Sequence, residues 1–139
     1  MKIQKNAVVE LLKKWAEKHS KFKLVYLFGS IAKGSINKFS DVDVAILLDK
    51  KFAMPKQYKL KIIDELIELL KTDAVDVVIL NYASPSLKYE IIKHGILIVG
   101  SEDTRVSFEE SAIREYLDTE VLRRFWRNKL IEEVLSYGD

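Results

Sequence analysis

Two aspartates separated by a single residue, Asp41-Val42-Asp43-Val44, follow a Gly29-Ser30 pair after ten intervening residues. Alternate side chains of an extended strand share a face, so Asp41 and Asp43 are expected to point one way, roughly 7 Å apart, while Val42, Val44 and Ile46 point into a core. Two carboxylates so placed repel each other unless water or a cation lies between them. An all-oxygen ligand set favours magnesium, which keeps part of its water shell and draws further ligands from substrate phosphates. Asp76, in Val75-Asp76-Val77-Val78-Ile79, is a charge inside an apolar run of a kind that strands rarely contain. Burying it without a partner or a cation is costly, and a strand carrying it beside the first would gather three carboxylates into one cluster. Gly29, at the end of the run Leu24 to Phe28, lets backbone approach a ligand closely; the amides that follow can cradle a phosphate, and Ser30 adds a hydroxyl. Lys33 and Lys38 lie in the loop before the carboxylates, and Lys33 is the cation assigned to phosphate. These residues together describe a magnesium-triphosphate site.

The elements that must position them follow from periodicity. Val8, Val9, Leu11, Leu12 and Trp15 have amphipathic helical spacing, with Asn6 as the expected cap. Leu24 to Phe28 and Val42 to Leu48 read as strands, Pro55 to Leu70 as a helix, and Val75 to Leu80 as a third strand. Ser84-Pro85 pairs a capping hydroxyl with proline at the first helical position, which predicts a helix ending at His94 before Gly95, and Ile96 to Val99 a fourth strand. A helical segment over about 103–135 is expected next, broken near Asp118-Thr119. The expectation is a single α+β domain over 1–139, with a core over about 24–100: a small mixed β-sheet flanked by helices, and a long C-terminal helical segment.

Composition narrows the function classes. A chain of 139 residues can bury a core unaided, and the absence of cysteine excludes a disulfide scaffold, a thiolate zinc site and a cysteine nucleophile. A formal net charge of +2 argues against extended wrapping of nucleic acid. The N-terminus is too charged and broken for a signal peptide or a membrane span, so a cytoplasmic location without membrane attachment is expected.

The spacing Gly29-Ser30, ten residues, Asp41-x-Asp43, with Asp76 on a later strand, resembles the minimal nucleotidyltransferases (MNT domains) of the DNA polymerase β superfamily. Within it the chain is most similar to MntA-type antitoxins paired with HEPN-domain toxins, a likeness running from about Val25 to about Asp118 through His94-Gly95 and Arg114-Glu115-Tyr116-Leu117-Asp118. One departure is Ile31, where relatives often carry arginine; Lys33 is then the nearer cation. The resemblance implies the nucleotidyltransferase fold and transfer of AMP from ATP, bound with magnesium as two ions, to a tyrosine hydroxyl of the HEPN toxin. It implies Asp41, Asp43 and Asp76 as catalytic and metal-holding residues, and Gly29, Ser30 and Lys33 as nucleotide-binding ones. The alternatives it leaves are a small-molecule or RNA-end nucleotidyltransferase and an antitoxin acting by binding alone.

Every arginine lies between Arg105 and Arg127, and Arg123, Arg124 and Arg127 surround Phe125 and Trp126. Arginine and tryptophan are over-represented at binding hot spots, which makes these five residues the expected contact for the toxin or for a second copy of the chain. The opposing expectation is that Phe125 and Trp126 pack the helix onto its own sheet. His19 and His94, each near a predicted helix end, are assigned structural roles.

Overall fold

The computed structural model describes residues 5–32, 34, 41–52 and 54–137. In chain order the elements are α1 (Lys5–Glu17), β1 (Phe22–Phe28), the short α2 (Gly29–Ala32), β2 (Val42–Leu48), α3 (Tyr58–Leu70), β3 (Val75–Ile79), a 3-10 turn (Leu80–Tyr82), α4 (Pro85–His94), β4 (Ile96–Gly100) and α5 (Glu102–Ser136). The four strands form one mixed sheet in the order β3-β2-β1-β4. β1 is antiparallel to both β2 and β4, whereas β2 and β3 run parallel, joined across the sheet by α3. A parallel pair needs such a crossover, and a helix is its usual form.

The alternation of β2 explains the layers. Val42, Val44, Ile46 and Leu48 face one side and pack with Val8, Leu12 and Trp15 of α1 and Ile62 and Leu66 of α3. Ala45 and Leu47 face the other, where Leu24, Tyr26, Leu80 and Ile91 form a smaller core with Phe108 of α5. The Tyr26 hydroxyl donates to Glu109 at 2.8 Å and so ties α5 to the middle of β1. Burial and the acceptor carboxylate both push that phenol well above its ordinary value.

Helix boundaries respond to local chemistry. The Ser84 hydroxyl accepts from the Leu87 amide, Pro85 opens α4, and Gly95 closes it with its amide on the Ile91 carbonyl. Pro55 is not the start of α3; its carbonyl accepts from the Tyr58 amide in the preceding turn, and the helix begins at Tyr58. Asn6 lies inside the first turn of α1 rather than at its cap. The expected break at Asp118-Thr119 is absent: α5 runs through it, and the Thr119 hydroxyl shares its one proton between the Glu115 and Tyr116 carbonyls of the same helix. No helix among the described residues is long and apolar enough to cross a membrane.

Asn81 extends the parallel pairing past the end of β3. Its side-chain oxygen accepts from the Leu48 amide at 2.9 Å and its nitrogen donates to the Leu48 carbonyl at 3.0 Å, in the manner of one more ladder residue. Asn81→Ala would leave both partly buried backbone groups without these bonds. It is expected to lower stability by about 2 kcal/mol in urea unfolding, with no change in the denaturant slope.

Candidate active site

Asp43 sits in β2 directly opposite Asp76 in the parallel register and opposite Phe28 in the antiparallel one. By the alternation that buries Val42 and Val44 on the α1–α3 side, Asp43 and Asp76 share the other face, at the end of the sheet where β2 and β3 begin. Asp43 is partly buried, while Asp76 and Asp41 are exposed. Asp41 does not lie in the strand; it immediately precedes it, since pairing starts where the Val42 amide donates to the Ala74 carbonyl at 2.8 Å. It remains close enough to act on its neighbour. Burial first, then the charges of Asp76 and Asp41, raises the Asp43 carboxyl from 3.8 to about 6.

Gly29 closes the arrangement from the β1 side. It has φ +78°, in the left-handed region, and a Cβ placed on it would lie 2.1 Å from Oδ2 of Asp43 and 3.0 Å from its Cγ. The space a side chain would take at this position is therefore filled by the carboxylate itself. Close approach of a phosphate is the role expected of this glycine; the space beside it is taken first by Asp43. Ser30 follows in the first turn of α2, partly exposed, while Ile31 and Ala32 are buried and anchor that turn to the core. The structure thus brings Gly29, Asp43 and Asp76 together, with Ser30 adjoining and Asp41 at the strand mouth. Lys33 and Lys38 lie outside the described residues.

Among the described residues, no group of three His, Asp or Glu side chains forms a ready-made metal cage. The donor chemistry nonetheless fits magnesium: Asp43 and Asp76 are register partners, among the described residues no cation pairs with either, and burial, with the two neighbouring carboxylates, raises the Asp43 carboxyl. Magnesium is commonly held by one or two protein carboxylates, the rest of its shell being water and substrate phosphate. The carboxylates do not line the cavity of about 800 Å³ at the other end of the sheet, which is bounded by Lys23, Leu47, Asn81, Lys88 and Phe108. Two of its cations are engaged locally, Lys23 with Asp49 and Lys88 with Glu115.

The C-terminal residues behave differently from the packing expectation. Phe125 and Trp126 are both about half exposed and touch each other edge to face, with ring centroids 5.7 Å apart. Arg123 and Arg124 pair with Glu120 of their own helix, and Arg127 is exposed. None of the five is near a strand by burial; they stand on the free half of α5. His94 ends α4, 3.8 Å from Glu90, and His19 stacks on Phe22 beside Glu65, so neither enters the carboxylate cluster.

The sequence and the fold have counterparts among known proteins. The chain is 26% identical over 134 residues to the protein adenylyltransferase MntA of Shewanella oneidensis, covering 96% of this chain and 89% of the relative. A chain in the crystal structure of a toxin-antitoxin with AMP-PNP superimposes with a TM-score of 0.74 at 25% identity, covering 93% of this chain and 99% of the other. The tri-AMPylated Shewanella oneidensis HEPN toxin in complex with MNT antitoxin contains a chain of the same fold, with a TM-score of 0.67 at 24% identity over 91% of this chain and 95% of the other. The family model described as polymerase beta, nucleotidyltransferase matches residues 10–104, a span that holds all of β1 to β4 and with them Gly29, Ser30, Asp41, Asp43 and Asp76. The chain therefore belongs to the polymerase β nucleotidyltransferase family.

Proposed function

We propose that this chain is an antitoxin that transfers AMP from ATP to a tyrosine hydroxyl of a HEPN-domain toxin, silencing it. The reading rests on one observation above the others: Asp43 and Asp76 are register partners, and the backbone of Gly29 closes directly on the Asp43 carboxylate. Support for a protein acceptor comes from the adenylyltransferase relative and from the AMPylated toxin complex of the matching fold. The exposure of Asp41 and Asp76 at the strand end suits an acceptor carried on another macromolecule.

Asp41, Asp43 and Asp76 would hold magnesium as two ions, which when bound would supply positive charge to the α-phosphate and to the departing pyrophosphate. The chain's own groups do the rest. The backbone after Gly29 and the Ser30 hydroxyl hold and orient the triphosphate, with Lys33 offsetting its charge. Asp76, exposed at the outer strand, takes the proton from the acceptor hydroxyl as its oxygen bonds to the α-phosphorus and the bond to pyrophosphate breaks. Asp43, less exposed, fixes the position of the phosphate relative to that base.

Intact mass of the toxin after incubation with this chain, ATP and magnesium tests the reading: a gain in whole AMP units is expected, and an unchanged mass with every nucleotide would overturn it. The paired substitution Asp41→Asn, Asp43→Asn is expected to abolish the gain and the neutralisation while the toxin still co-purifies. Retained neutralisation by that variant would point instead to an antitoxin acting by contact alone.

A further inference from the structure

Helix α5 spans 35 residues, about 52 Å, yet within it only Ala112 is buried, and every residue from 121 to 137 is exposed. That free stretch is not polar. Leu122, Trp126, Leu130 and Val134 are 55%, 56%, 59% and 69% exposed, and Val121, Phe125, Ile131 and Leu135 are also exposed. A surface helix with so many uncovered apolar side chains calls for a partner.

Its sequence is symmetric about Asn128. Stepping equally in both directions from that residue pairs Trp126 with Leu130, Phe125 with Ile131, Leu122 with Val134 and Val121 with Leu135, apolar against apolar each time. The same operation sets Arg123 against Glu133, opposite charge against opposite charge, and Arg127 against Lys129, like against like; Arg124 and Glu132 also match but lie on the side of the helix away from Leu122 and Trp126. An isologous two-fold contact between antiparallel helices makes this match, because residues equally far before and after the centre fall level with each other across the axis. A parallel pair would set arginine level with arginine.

We propose that the free half of α5 is a self-association surface, on which a second copy of this chain crosses antiparallel level with Asn128, between Trp126 and Leu130. The contact row is Leu122, Trp126, Leu130 and Val134, an uninterrupted i, i+4 ridge that continues the face Phe108 and Ala112 present to the core. Ridges of this spacing interdigitate at a crossing angle near −50°. On the opposite side of the helix Arg124 and Asn128 interrupt the apolar residues, which is why that side is not chosen. The crossing point is about 24 Å along the helix from Ala112, which leaves space for both cores. One such ridge is smaller than the ~800 Å² per partner of a standard interface, so the dimer is concentration-dependent rather than obligate.

The absence of cysteine gives a direct test. Leu122→Cys and Val134→Cys chains, mixed and gently oxidised, are expected to form disulfide-linked dimers between the two variants while neither links efficiently to itself. Sedimentation of the unaltered chain over a concentration series is expected to show a monomer–dimer equilibrium, weakened at least about tenfold by Trp126→Glu, whose side chain supports no core. Equal self-linking of Leu122→Cys would indicate a parallel pair and overturn the proposal. So would a strictly monomeric chain, including one in which Trp126→Glu lowers only toxin capture, since the surface would then be the toxin's.

Discussion

Asp43→Asn is expected to raise the thermal midpoint of the metal-free chain at pH 7 by about 3 °C while lowering AMP transfer at least about a thousandfold. Both effects come from one carboxylate. In the folded chain it ionises only at about pH 6, whereas in the unfolded chain it does so near its ordinary 3.8. As pH rises between these values the unfolded state gives up the proton first, so this group lowers stability progressively across the window and keeps that cost at neutral pH. With solvent screening of a partly exposed group, the cost is on the order of 1–2 kcal/mol. Asparagine removes the charge and hence the cost, and below about pH 4 the two proteins should melt together. In activity, the substitution withdraws a charged oxygen from the proposed metal-phosphate site, where an electrostatic contact contributes several kcal/mol. Melting curves across pH, without metal, beside a transfer assay check both halves; a variant less stable than the parent at pH 7 would refute the account of the raised carboxyl.

Gly29→Ala is expected to lower stability by about 3 kcal/mol and to reduce transfer as severely as loss of Asp43. Part of the effect is conformational, since φ +78° costs an alanine about 1–2 kcal/mol. The remainder is collision: at 2.1 Å from Oδ2 the new methyl must displace the Asp43 side chain or the strand end. The two contributions separate in a double-mutant cycle. In Asp43→Ala the oxygen and Cγ are gone and the nearest remaining atom of that side chain is Cβ at 3.4 Å, an ordinary contact. Gly29→Ala made in that background should therefore cost only the conformational part, giving a coupling of about 1–2 kcal/mol. Additive losses, measured by urea unfolding, would mean that glycine and carboxylate are not in contact.

The elements that carry the site were legible because each has a local signature. The alternation in Val42 to Leu48 defines β2 with the bounds observed, and Ser84-Pro85 with Gly95 brackets α4. β1 begins two residues earlier than its apolar run suggested, at Phe22, which is paired with Leu48. The side-by-side placement of Asp43 and Asp76 was conditional in the sequence, since adjacency of β2 and β3 is a property of strand order, and nothing local to either strand encodes it. Asp41 looked like a strand residue because its spacing to Asp43 is right; the ladder starts one residue later. The exposure of α5 was the least legible. Its apolar residues lie on more than one side of the helix, so no single buried face could be read, and the symmetry about Asn128 acquires meaning only once the segment is known to be free of the core.

The parallel pairing of β2 with β3 also has a consequence for how the chain acquires its shape. β1 meets both β2 and β4 antiparallel, but β3 can dock beside β2 only once α3 has crossed the sheet, and the register it takes sets Asp76 beside Asp43. Docking therefore closes a long loop against a like-charge contact, driven by Val77 and Ile79 on the opposite face of the strand. The rate of this step should then rise when the two acids are neutralised, and the carboxylates on which phosphate chemistry depends become the brake on completion of the sheet that presents them.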